Sequence, residues 1–570
     1  RFLLFALLAL LYVTNVNALD KGDQFTKGNI TYQVTQMGVS GISPSSYTEV
    51  MVVSSDATGT LTIPDIITDT NNQYYCKVTA IGSQSNMPNV TAVNLPHTLK
   101  TINANAFTPS KITSITVPKE TDKIIDGAFS QMNKLTEINV EAGNPKYSSE
   151  DGILYETRST GKYIKAYPYA KSGTTFTVPT GTYGVAINAF AKHPTLTTIN
   201  LPASIQDLPT SEEANGFTGA SALTAIKVDP SNGIYKDIDG VVLTKDGKTL
   251  VTYPYKRDGV LNPTYDGTPA QHPGMVYKIP DGVESLAKGS FALVNEVTAI
   301  QLNDVKTIEK GAFYATRNLR NIELGASVKT IQDGAISGTP DLTRFDVASN
   351  NPNYIADNEG VIYTKNKEEL VLYPSGKGGE YTTLPDTKKI RNRAFHTAQK
   401  VTKVNFNANL EEIGNDVFQY DSNLKEITFE APSKLQKIGT WTFYMTGLET
   451  LNLPASLKEI GWTAFGSNNK LKTVTIADNS QLKSIGVDAF SNNTALETFT
   501  FNGSSVLETV EAARKVTNKE IICKIAARRK GDPACVIASS EKAKKILGWK
   551  AQYTNVEKII ETGWHFVEKQ

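Results

Sequence analysis

A dipeptide that ends in phenylalanine recurs about every 23 residues along most of this chain. An apolar triplet of the form L-x-x-I-x-L follows each copy, for example Leu196, Ile199 and Leu201. A single strand of this kind cannot bury its apolar side alone, so successive copies must stack. The period therefore predicts a solenoid with a continuous core and a parallel sheet. The copies are Ala106-Phe107, Ala128-Phe129, Ala189-Phe190, Gly216-Phe217, Ser290-Phe291, Ala312-Phe313, Ala394-Phe395, Val417-Phe418, Thr442-Phe443, Ala464-Phe465 and Ala489-Phe490, and Ala335-Ile336 fills one further place with isoleucine.

Three longer gaps between phenylalanine copies share a sequence motif of their own. Each contains an acidic residue followed by glycine and an alternating apolar run, and each ends in Tyr-Pro, as in Tyr167-Pro168, Tyr253-Pro254 and Tyr373-Pro374. An acid-Gly turn followed by an alternating run is typical of a β-hairpin. We therefore expect hairpins inserted between repeats near 144–178, 229–280 and 350–385, without an end to the solenoid.

The repeat wording resembles the BspA-like leucine-rich-repeat proteins. The resemblance rests on Ile187-Asn188-Ala189-Phe190 through Leu201-Pro202, on the Asp-Gly…Tyr-Pro inserts, and on an opening segment that begins at Phe25. It covers roughly residues 20–503. It implies a leucine-rich-repeat solenoid at 86–503 behind a β-rich cap at 19–85, in an exported or surface protein associated with adhesion to host proteins or other cells.

The first residues have the composition of a secretory signal. Phe2 to Val13 are apolar or aromatic, and Val16-Asn17-Ala18 places small or compact residues where a signal peptidase cuts. Twelve apolar residues are too few to span a bilayer. We expect a signal peptide at 1–18 and a secreted or surface-located mature chain without a transmembrane segment. An N-terminal anchor that is retained is the alternative.

The last part of the chain has a different character. Apolar residues at helical spacing and capping patterns predict a small helical tail at 504–570. The segment Arg528-Arg529-Lys530-Gly531-Asp532 and Leu547-Gly548-Trp549-Lys550 resemble the C-terminal end of UDP-glucose 4-epimerases. That resemblance implies that Arg529 contacts the UDP diphosphate and Asp532 the ribose. No glycine-rich dinucleotide turn occurs in the chain, and Tyr167 with Lys171 and Tyr373 with Lys377 are explained by repetition rather than by catalysis.

Composition excludes several other classes of function. Fifty-eight basic residues balance 57 acidic residues, so the overall charge does not favour nucleic acid. Three cysteines, Cys76, Cys523 and Cys535, cannot form a disulfide framework or a four-cysteine zinc site. The five histidines show no spacing of metal ligands, and His193 is expected in a surface turn. We therefore expect no catalytic residue, metal or cofactor.

A binding surface suits the repeat architecture better. Trp441 and Trp462 occupy neighbouring turns, where a stacked aromatic pair is able to hold a sugar or a protein partner; packing within the turn is the alternative. Polar strand positions are also expected to face solvent as one extended surface. They are Thr197, Thr198, Asn200, Thr298, Gln301, Lys403, Asn405, Lys425, Glu426, Thr428, Thr450, Asn452, Thr473 and Thr475.

The sequence thus predicts an exported, non-enzymatic leucine-rich-repeat protein whose solenoid surface binds proteins or glycans. Two other functions stay open at this point. One is an activity related to UDP-glucose 4-epimerase, carried by the tail, and the other is a structural role in a cell surface without a specific ligand.

Overall fold

The structure, a computed structural model, describes residues 19–37, 47–70, 74–257, 260–261, 275–477 and 479–501. In these ranges the regular elements are β-strands, and no helix occurs among them. The expected signal peptide at 1–18 and the expected helical tail at 504–570 lie outside the described residues.

The strands are numbered in chain order. Those of the first half are β1 (Gln24–Lys27), β2 (Ile30–Gln36), β3 (Thr48–Ser55), β4 (Gly59–Thr62), β5 (Ile66–Thr68), β6 (Tyr75–Asn86), β7 (Val90–Asn94), β8 (Thr101–Ile102), β9 (Ser114–Val117), β10 (Lys123–Ile124), β11 (Glu137–Val140), β12 (Tyr147–Glu150), β13 (Ile153–Arg158), β14 (Gly161–Ala166), β15 (Thr175–Thr177), β16 (Thr182–Val185), β17 (Thr198–Leu201), β18 (Ala225–Val228), β19 (Tyr235–Ile238), β20 (Val241–Thr244) and β21 (Thr249–Thr252).

The remaining strands are β22 (Val260–Leu261), β23 (Met275–Lys278), β24 (Ser285–Leu286), β25 (Val297–Gln301), β26 (Thr307–Ile308), β27 (Phe313–Tyr314), β28 (Asn321–Leu324), β29 (Thr330–Ile331), β30 (Ile336–Ser337), β31 (Arg344–Val347), β32 (Tyr354–Ala356), β33 (Ile362–Thr364), β34 (Glu369–Leu372), β35 (Gly379–Thr382), β36 (Lys389–Ile390), β37 (Val401–Phe406), β38 (Glu412–Ile413), β39 (Glu426–Phe429), β40 (Lys437–Ile438), β41 (Thr450–Leu453), β42 (Glu459–Ile460), β43 (Thr473–Ile476), β44 (Ser484–Ile485) and β45 (Thr498–Phe501).

The chain divides into two compact units. Unit 1 consists of Arg1–Asp258, Gly282–Glu296 and Gly311–Phe313. Unit 2 consists of Gly259–Asp281, Val297–Lys310 and Tyr314–Gln570.

Unit 1 opens with a sheet that becomes parallel as the repeats begin. Strands β1, β2 and β3 pair antiparallel, and β3 then pairs parallel with β6. In β2 the buried residues Ile30, Tyr32 and Val34 alternate with half-buried ones, as expected for a strand with one face on a core. The short strands β8 and β10 continue the sheet in parallel, with Ile102 opposite Ile124. The first repeats therefore grow from the edge of this sheet.

Each turn of the solenoid in unit 2 contributes two strands. The longer strand comes from the L-x-x-I-x-L triplet, and β37 and β39 pair parallel with Val404 opposite Ile427. The shorter strand has two residues and ends in isoleucine, in β36, β38, β40, β42 and β44, and glycine follows that isoleucine in the last four. Both sets stack in register because each turn places the same residue type at the same point. The parallel-strand solenoid that the period predicts is confirmed.

The recurring phenylalanine lies on a third side of each turn, which is a loop in most turns and a two-residue strand in β27 and β30. In unit 2 the rings of Phe418, Phe443, Phe465 and Phe490 form a column with centroid distances of 5.1, 5.1 and 5.2 Å and interplanar angles of at most 7°. Phe418, Phe443 and Phe465 are completely buried. In unit 1, Phe190 stacks on Phe217 at 5.6 Å in the same way. Parallel stacking of identical rings explains why this position so seldom changes along the chain.

Left-handed backbone residues flank the phenylalanine in most turns. In the turn of Phe190 the residue two positions before it, Asn188, has φ of 62°, and the residue two positions after it, Lys192, has φ of 58°. Glycine or asparagine adopts this conformation at little cost, and other residues pay for it in steric strain. The left-handed residue two positions before the phenylalanine, or before Ile336 in its turn, is Asn105, Gly127, Asn188, Gly289, Gly311, Gly334, Arg393, Asp416, Trp441, Thr463 or Asp488.

Each insert contains more than the hairpin that the sequence suggests. Its chain runs through three antiparallel strands, β12–β13–β14 and β19–β20–β21 in unit 1 and β32–β33–β34 in unit 2. The third strand then pairs parallel with a strand of the following turn, as β34 does with β36. The strand that the sequence did not predict is the first one, β12, β19 or β32, which precedes the acid-Gly turn and has a single buried residue.

The tyrosine of Tyr-Pro takes the place of the phenylalanine in its turn. Tyr373 stacks on Phe395 at 4.3 Å, and its backbone N–H donates to the carbonyl of Ala394 at 2.8 Å. Phe395 donates in the same way to Val417, the residue before the next phenylalanine. Tyr167 and Tyr253 repeat the arrangement in unit 1. An insert is therefore a lengthened repeat whose tyrosine stacks on the ring of the following turn.

Candidate functional site

The two tryptophans that the sequence singles out lie together at the surface of unit 2. Their ring centroids are 5.5 Å apart with an interplanar angle of 37°, and the backbone N–H of Trp441 donates to the carbonyl of Trp462 at 3.0 Å. Trp441 is 37% exposed and Trp462 is 49% exposed. The pair therefore offers aromatic surface to solvent, although the rings are tilted rather than parallel.

Three further side chains extend this surface over the neighbouring turns. Tyr444 lies 6.1 Å from Trp441 and 6.0 Å from Tyr420, measured between ring centroids. Tyr420 and Met445 are 44% and 42% exposed. We call Tyr420, Trp441, Tyr444, Met445 and Trp462 the aromatic platform. Sequence reasoning missed three of its members, although Tyr420 and Met445 share one position, two residues after the repeat phenylalanine.

The platform is local to the last turns. Val487 occupies the position of Trp462 in the following turn and is 73% exposed. In the preceding turns of unit 2 the corresponding residues are polar, such as Asn415 and Asn392. The solenoid therefore changes from a polar to an apolar surface along one side. Contiguous exposed apolar surface of this kind is typical of interaction sites.

The backbone of Trp441 adopts a left-handed conformation that is unfavourable for a large side chain. Its φ is 53°, at the left-handed position that earlier turns fill with Asn105, Gly127 or Asn188. A large side chain in this conformation costs about 1–2 kcal/mol. Thr463, one turn later, has φ of 50° and is β-branched, which adds to the cost. Two residues poorly suited to their backbone thus lie beside each other at the platform.

The turn segments around the platform lack positive charge. Residues 414–423, 439–447, 461–469 and 486–494 contain no lysine or arginine, whereas the preceding turn at 391–400 contains Arg391, Arg393 and Lys400. Two carboxylates border the platform: Asp416, whose partner Arg393 is 3.6 Å away, and the exposed Asp488. The surface is therefore neutral to weakly acidic.

The polar strand positions form a second surface, and much of its hydrogen-bonding capacity is used internally. Asn405 donates to the hydroxyl of Thr382 at 3.2 Å and accepts from Thr428 at 2.6 Å. Lys403 pairs with Glu426 at 3.2 Å. In unit 1, Asn200 donates to Thr177 at 3.1 Å. These ladders join one turn to the next, so they stabilise the sheet before they offer anything to a ligand.

The two Tyr-x-x-x-Lys motifs, Tyr167 with Lys171 and Tyr373 with Lys377, have a structural role. Burial raises the pKa of Tyr167 to about 12, so its hydroxyl stays protonated. The Nζ atom of Lys171 lies 3.1 Å from Asp151, the acid of the Asp-Gly turn. In the third insert Lys377 lies 3.0 Å from Glu359 in the same way. The basic residue therefore closes the insert on its own acidic turn.

Ionisable groups elsewhere are dispersed or buried. In the part of the chain that the structure describes, no three His, Cys, Asp or Glu side chains lie close enough together to hold a metal ion. Burial, reinforced by Asp69, raises the pKa of the Cys76 thiol to about 11. His193 is buried, which corrects its expected place in a surface turn. Arg529 and Asp532 lie outside the described residues.

The family of the chain follows from the repeats. The model of the BspA type leucine rich repeat region matches in six copies, at residues 70–158, 276–359 and 388–512, which together exceed half of the chain. The protein belongs to this family. None of the described ranges of this BspA-type protein contains a helix long and apolar enough to cross a bilayer.

Two solved structures resemble this BspA-type protein. One is the pneumococcal vaccine antigen PcpA, with 19% identity, coverage of 90% of this chain and 100% of that chain, and a TM-score of 0.34. The other is a leucine rich cell surface protein from Faecalibacterium prausnitzii, with 18% identity, coverage of 85% and 97%, and a TM-score of 0.38.

A different resemblance covers a short stretch. UDP-glucose 4-epimerase of Lacticaseibacillus casei is 46% identical over 95 residues, which are 17% of this chain and 29% of the enzyme. The enzyme of Streptococcus mutans is 52% identical over 71 residues, 12% of this chain and 21% of the enzyme. The BspA-type protein thus spans less than a third of the length of these relatives.

Proposed function

We propose that this BspA-type protein is an exported, cell-surface, non-enzymatic protein that binds a macromolecular partner, protein or glycan, through the aromatic platform. The observation that carries the proposal is the exposure of Trp441 and Trp462 in turns whose counterparts are polar. Aromatic side chains dominate the binding energy of many interfaces because they bury a large area at a small entropic cost.

The backbone at the platform supports the same conclusion. Trp441 keeps a left-handed conformation that asparagine adopts more easily, so its presence weakens the fold instead of strengthening it. A residue that costs stability and lies exposed is explained by contact with a partner. The five platform side chains are aromatic rings and one thioether, groups that suit contact with a partner.

Export is supported by the sequence at the N-terminus. The apolar run Phe2 to Val13 and the small-residue site ending at Ala18 have the order of a signal peptide. Expression of the full chain, followed by N-terminal sequencing of the mature form and by fractionation of the cells, tests this part. A mature N-terminus at Leu19 supports a cleaved signal peptide, retention of Phe2 at the cell surface favours the retained anchor, and a chain found only in the cytoplasm contradicts export.

Binding is tested with the full chain on arrays of extracellular-matrix proteins and glycans. The variant Trp441→Asn/Trp462→Thr removes both rings and installs residues found at the same positions in other turns, Asn188 and Thr440. Tyr75→Thr is the matched control, since Tyr75 is 57% exposed and lies in unit 1. We expect the double variant alone to lose binding. Equal binding by all three proteins contradicts the role of the aromatic platform in binding. Absence of binding by the wild-type protein on every array favours a structural role at the cell surface.

A second candidate function rests on the local identity with UDP-glucose 4-epimerases. In this candidate the C-terminal segment retains affinity for a UDP-sugar through Arg529 and Asp532, whose guanidinium and carboxylate groups suit phosphate and hydroxyl oxygens. Calorimetry of the full chain with UDP-glucose tests it, with Arg529→Ala as the comparison. Heat that vanishes in the variant supports this candidate, and the absence of heat in the wild type removes it.

A further inference from the structure

We infer that the aromatic platform recognises an uncharged carbohydrate chain that lies across successive turns of the solenoid. The inference rests on the proposed function and names the chemical class of the partner. Three observations on the platform favour a neutral glycan over a protein: the spacing of its rings, its narrow width and its charge.

The rings follow the repeat of the solenoid. Trp441 and Trp462 belong to adjacent turns, as do Tyr420 and Tyr444, and their centroids are 5.5 and 6.0 Å apart. Adjacent parallel strands are separated by about 4.8 Å, and the backbone bond from Trp441 to Trp462 holds the turns at this spacing. One hexose unit has a similar length. A glycan that runs from turn to turn therefore meets a further aromatic side chain with about each sugar unit, although the rings of Tyr420 and Tyr444 are edge to face at 76°.

The platform is narrow compared with a protein interface. A stable protein–protein contact buries about 800 Å² on each partner and involves about 20–30 residues. The platform has five side chains, and polar residues such as Asn415 and Asn492 border it. A strip of this width suits a linear chain whose C–H faces pack on the rings and whose hydroxyls reach the polar border.

The charge of the surrounding turns selects among glycans. Recognition of sulfate or uronate groups calls for lysine or arginine, and four consecutive turn segments from residue 414 to residue 494 contain neither. The exposed side chain of Asp488 would instead repel an anionic chain, whereas Asp416 is paired with Arg393. Carboxylate and amide groups accept and donate hydrogen bonds with neutral hydroxyls. The surface therefore fits neutral hexose polymers and disfavours sulfated or acidic ones.

The test is calorimetry of the full chain with neutral hexose oligomers, namely cello-, malto- and manno-hexaose, and with a heparin hexasaccharide. The variants are Trp441→Asn, Trp462→Thr and the control Tyr75→Thr, each first compared with the wild type by circular dichroism and thermal unfolding. We expect one or more neutral oligomers to bind. Loss of one tryptophan should weaken that binding about tenfold, and Tyr75→Thr should leave it unchanged.

The outcomes separate the inference from the proposed function. Binding of a protein that depends on Trp441 and Trp462, without binding of any neutral oligomer, overturns the carbohydrate inference and leaves the proposed function in place. Preference for heparin also overturns the inference. Oligomer binding that is equally strong in all variants overturns both, because it places the ligand elsewhere. A variant that fails to fold is replaced by Trp441→Phe, which should weaken binding less than Trp441→Asn does.

Discussion

Asp421 occupies in its turn the position that Asn468 occupies two turns later, three residues after the buried phenylalanine. The side-chain oxygen of Asn468 accepts the backbone N–H of Thr446 at 2.7 Å, and its NH₂ group donates to the carbonyls of Phe443 and Phe465 at 2.9 Å. An ionised carboxylate has no proton for the two carbonyls. Asparagine thus satisfies this position completely, whereas aspartate is able to donate to one of the two carbonyls when protonated and to neither when ionised.

The fully buried carboxyl of Asp421 makes this position sensitive to pH. Its oxygens form no hydrogen bond of regular geometry, and the nearby N–H of Ala398 already donates to Phe395 at 2.8 Å. Burial raises the pKa of Asp421 well above its usual range. The folded protein therefore holds this proton more tightly than the unfolded chain. The protonated carboxyl of Asp421 therefore makes its full contribution to the free energy of unfolding below about pH 4. This contribution is lost as the pH rises through the elevated pKa.

We expect Asp421→Asn to raise the free energy of unfolding of unit 2 by about 1–3 kcal/mol at pH 7, because the amide supplies the missing donor. The advantage should shrink towards pH 4. Urea unfolding at the two pH values measures it, with the exposed Asp488→Asn as the matched control. A gain for Asp421→Asn that is the same at both pH values would show that protonation is not involved.

His193 holds the equivalent position in unit 1 and should respond to pH with the opposite sign. Burial lowers its pKa from 6.5 to about 4. Its Nδ1 accepts the N–H of Leu196 at 3.2 Å and its Nε2 donates to the carbonyl of Lys171 at 3.2 Å, which describes a neutral ring. The unfolded chain binds the proton more tightly, so stability is lost as the pH falls between about 6.5 and 4.

The loss due to His193 should reach about 3 kcal/mol at the acidic end of this range. His193→Asn should flatten the dependence of unit 1 stability on pH, as followed by hydrogen exchange of residues in β17 and β18. His97→Asn, at a side chain that is 80% exposed, serves as control. An unchanged slope in His193→Asn, with a changed slope in His97→Asn, would contradict the assignment.

Loss of a phenylalanine ring should destabilise unit 2 more in the middle of the column than at its end. Phe443 lies between two parallel rings and is completely buried, whereas Phe490 stacks on Phe465 at one face only and is partly buried. We expect Phe443→Ala to cost about 3–5 kcal/mol and Phe490→Ala about 1–2 kcal/mol. Thermal and urea unfolding compare the same substitution at the two places, and equal costs would argue against a cooperative column.

Relief of backbone strain should stabilise the turn beside the platform. Thr463 has φ of 50°, and asparagine holds the equivalent position in the turns of Phe107 and Phe190. Thr463→Asn should therefore raise the free energy of unfolding by about 0.5–1 kcal/mol. Thr440→Asn, which is not at a left-handed position, is the control. If both substitutions change stability equally, the gain comes from asparagine itself and not from the backbone.

The sequence predicts the architecture of this protein well because a solenoid repeats its constraints. Leu196, Ile199 and Leu201 must meet the same residue types in the next turn, so the period, the strands and the buried side are visible without coordinates. The first strand of each insert was not predicted, because it has one buried residue, such as Tyr147 in β12, and therefore no alternating apolar pattern. The place of Tyr373 in the ring column was not predicted either, since it depends on register with the following turn, which sequence spacing does not define across a gap.

The platform could be predicted only in part for a related reason. Trp441 and Trp462 attract attention because tryptophan is rare in this chain, with four copies. Tyr420 and Met445 belong to the same surface, but tyrosine is common, and their side of the turn depends on a left-handed backbone that spacing does not reveal. Similarly, the burial of His193 follows from its offset from Phe190, which has meaning only after that column is known.

The presence of Tyr167, Tyr253 and Tyr373 in the column of rings has a practical consequence for changes in chain length. A turn keeps its neighbours by contributing one aromatic ring and its backbone bonds, whatever the length of the excursion that precedes them. The exposed turn between the second and third strands of an insert, such as Ser159-Thr160, is thus a tolerant point for grafted sequence, such as an epitope or a reporter tag. The same freedom gives evolution a route to new loops at fixed intervals without loss of the parent array.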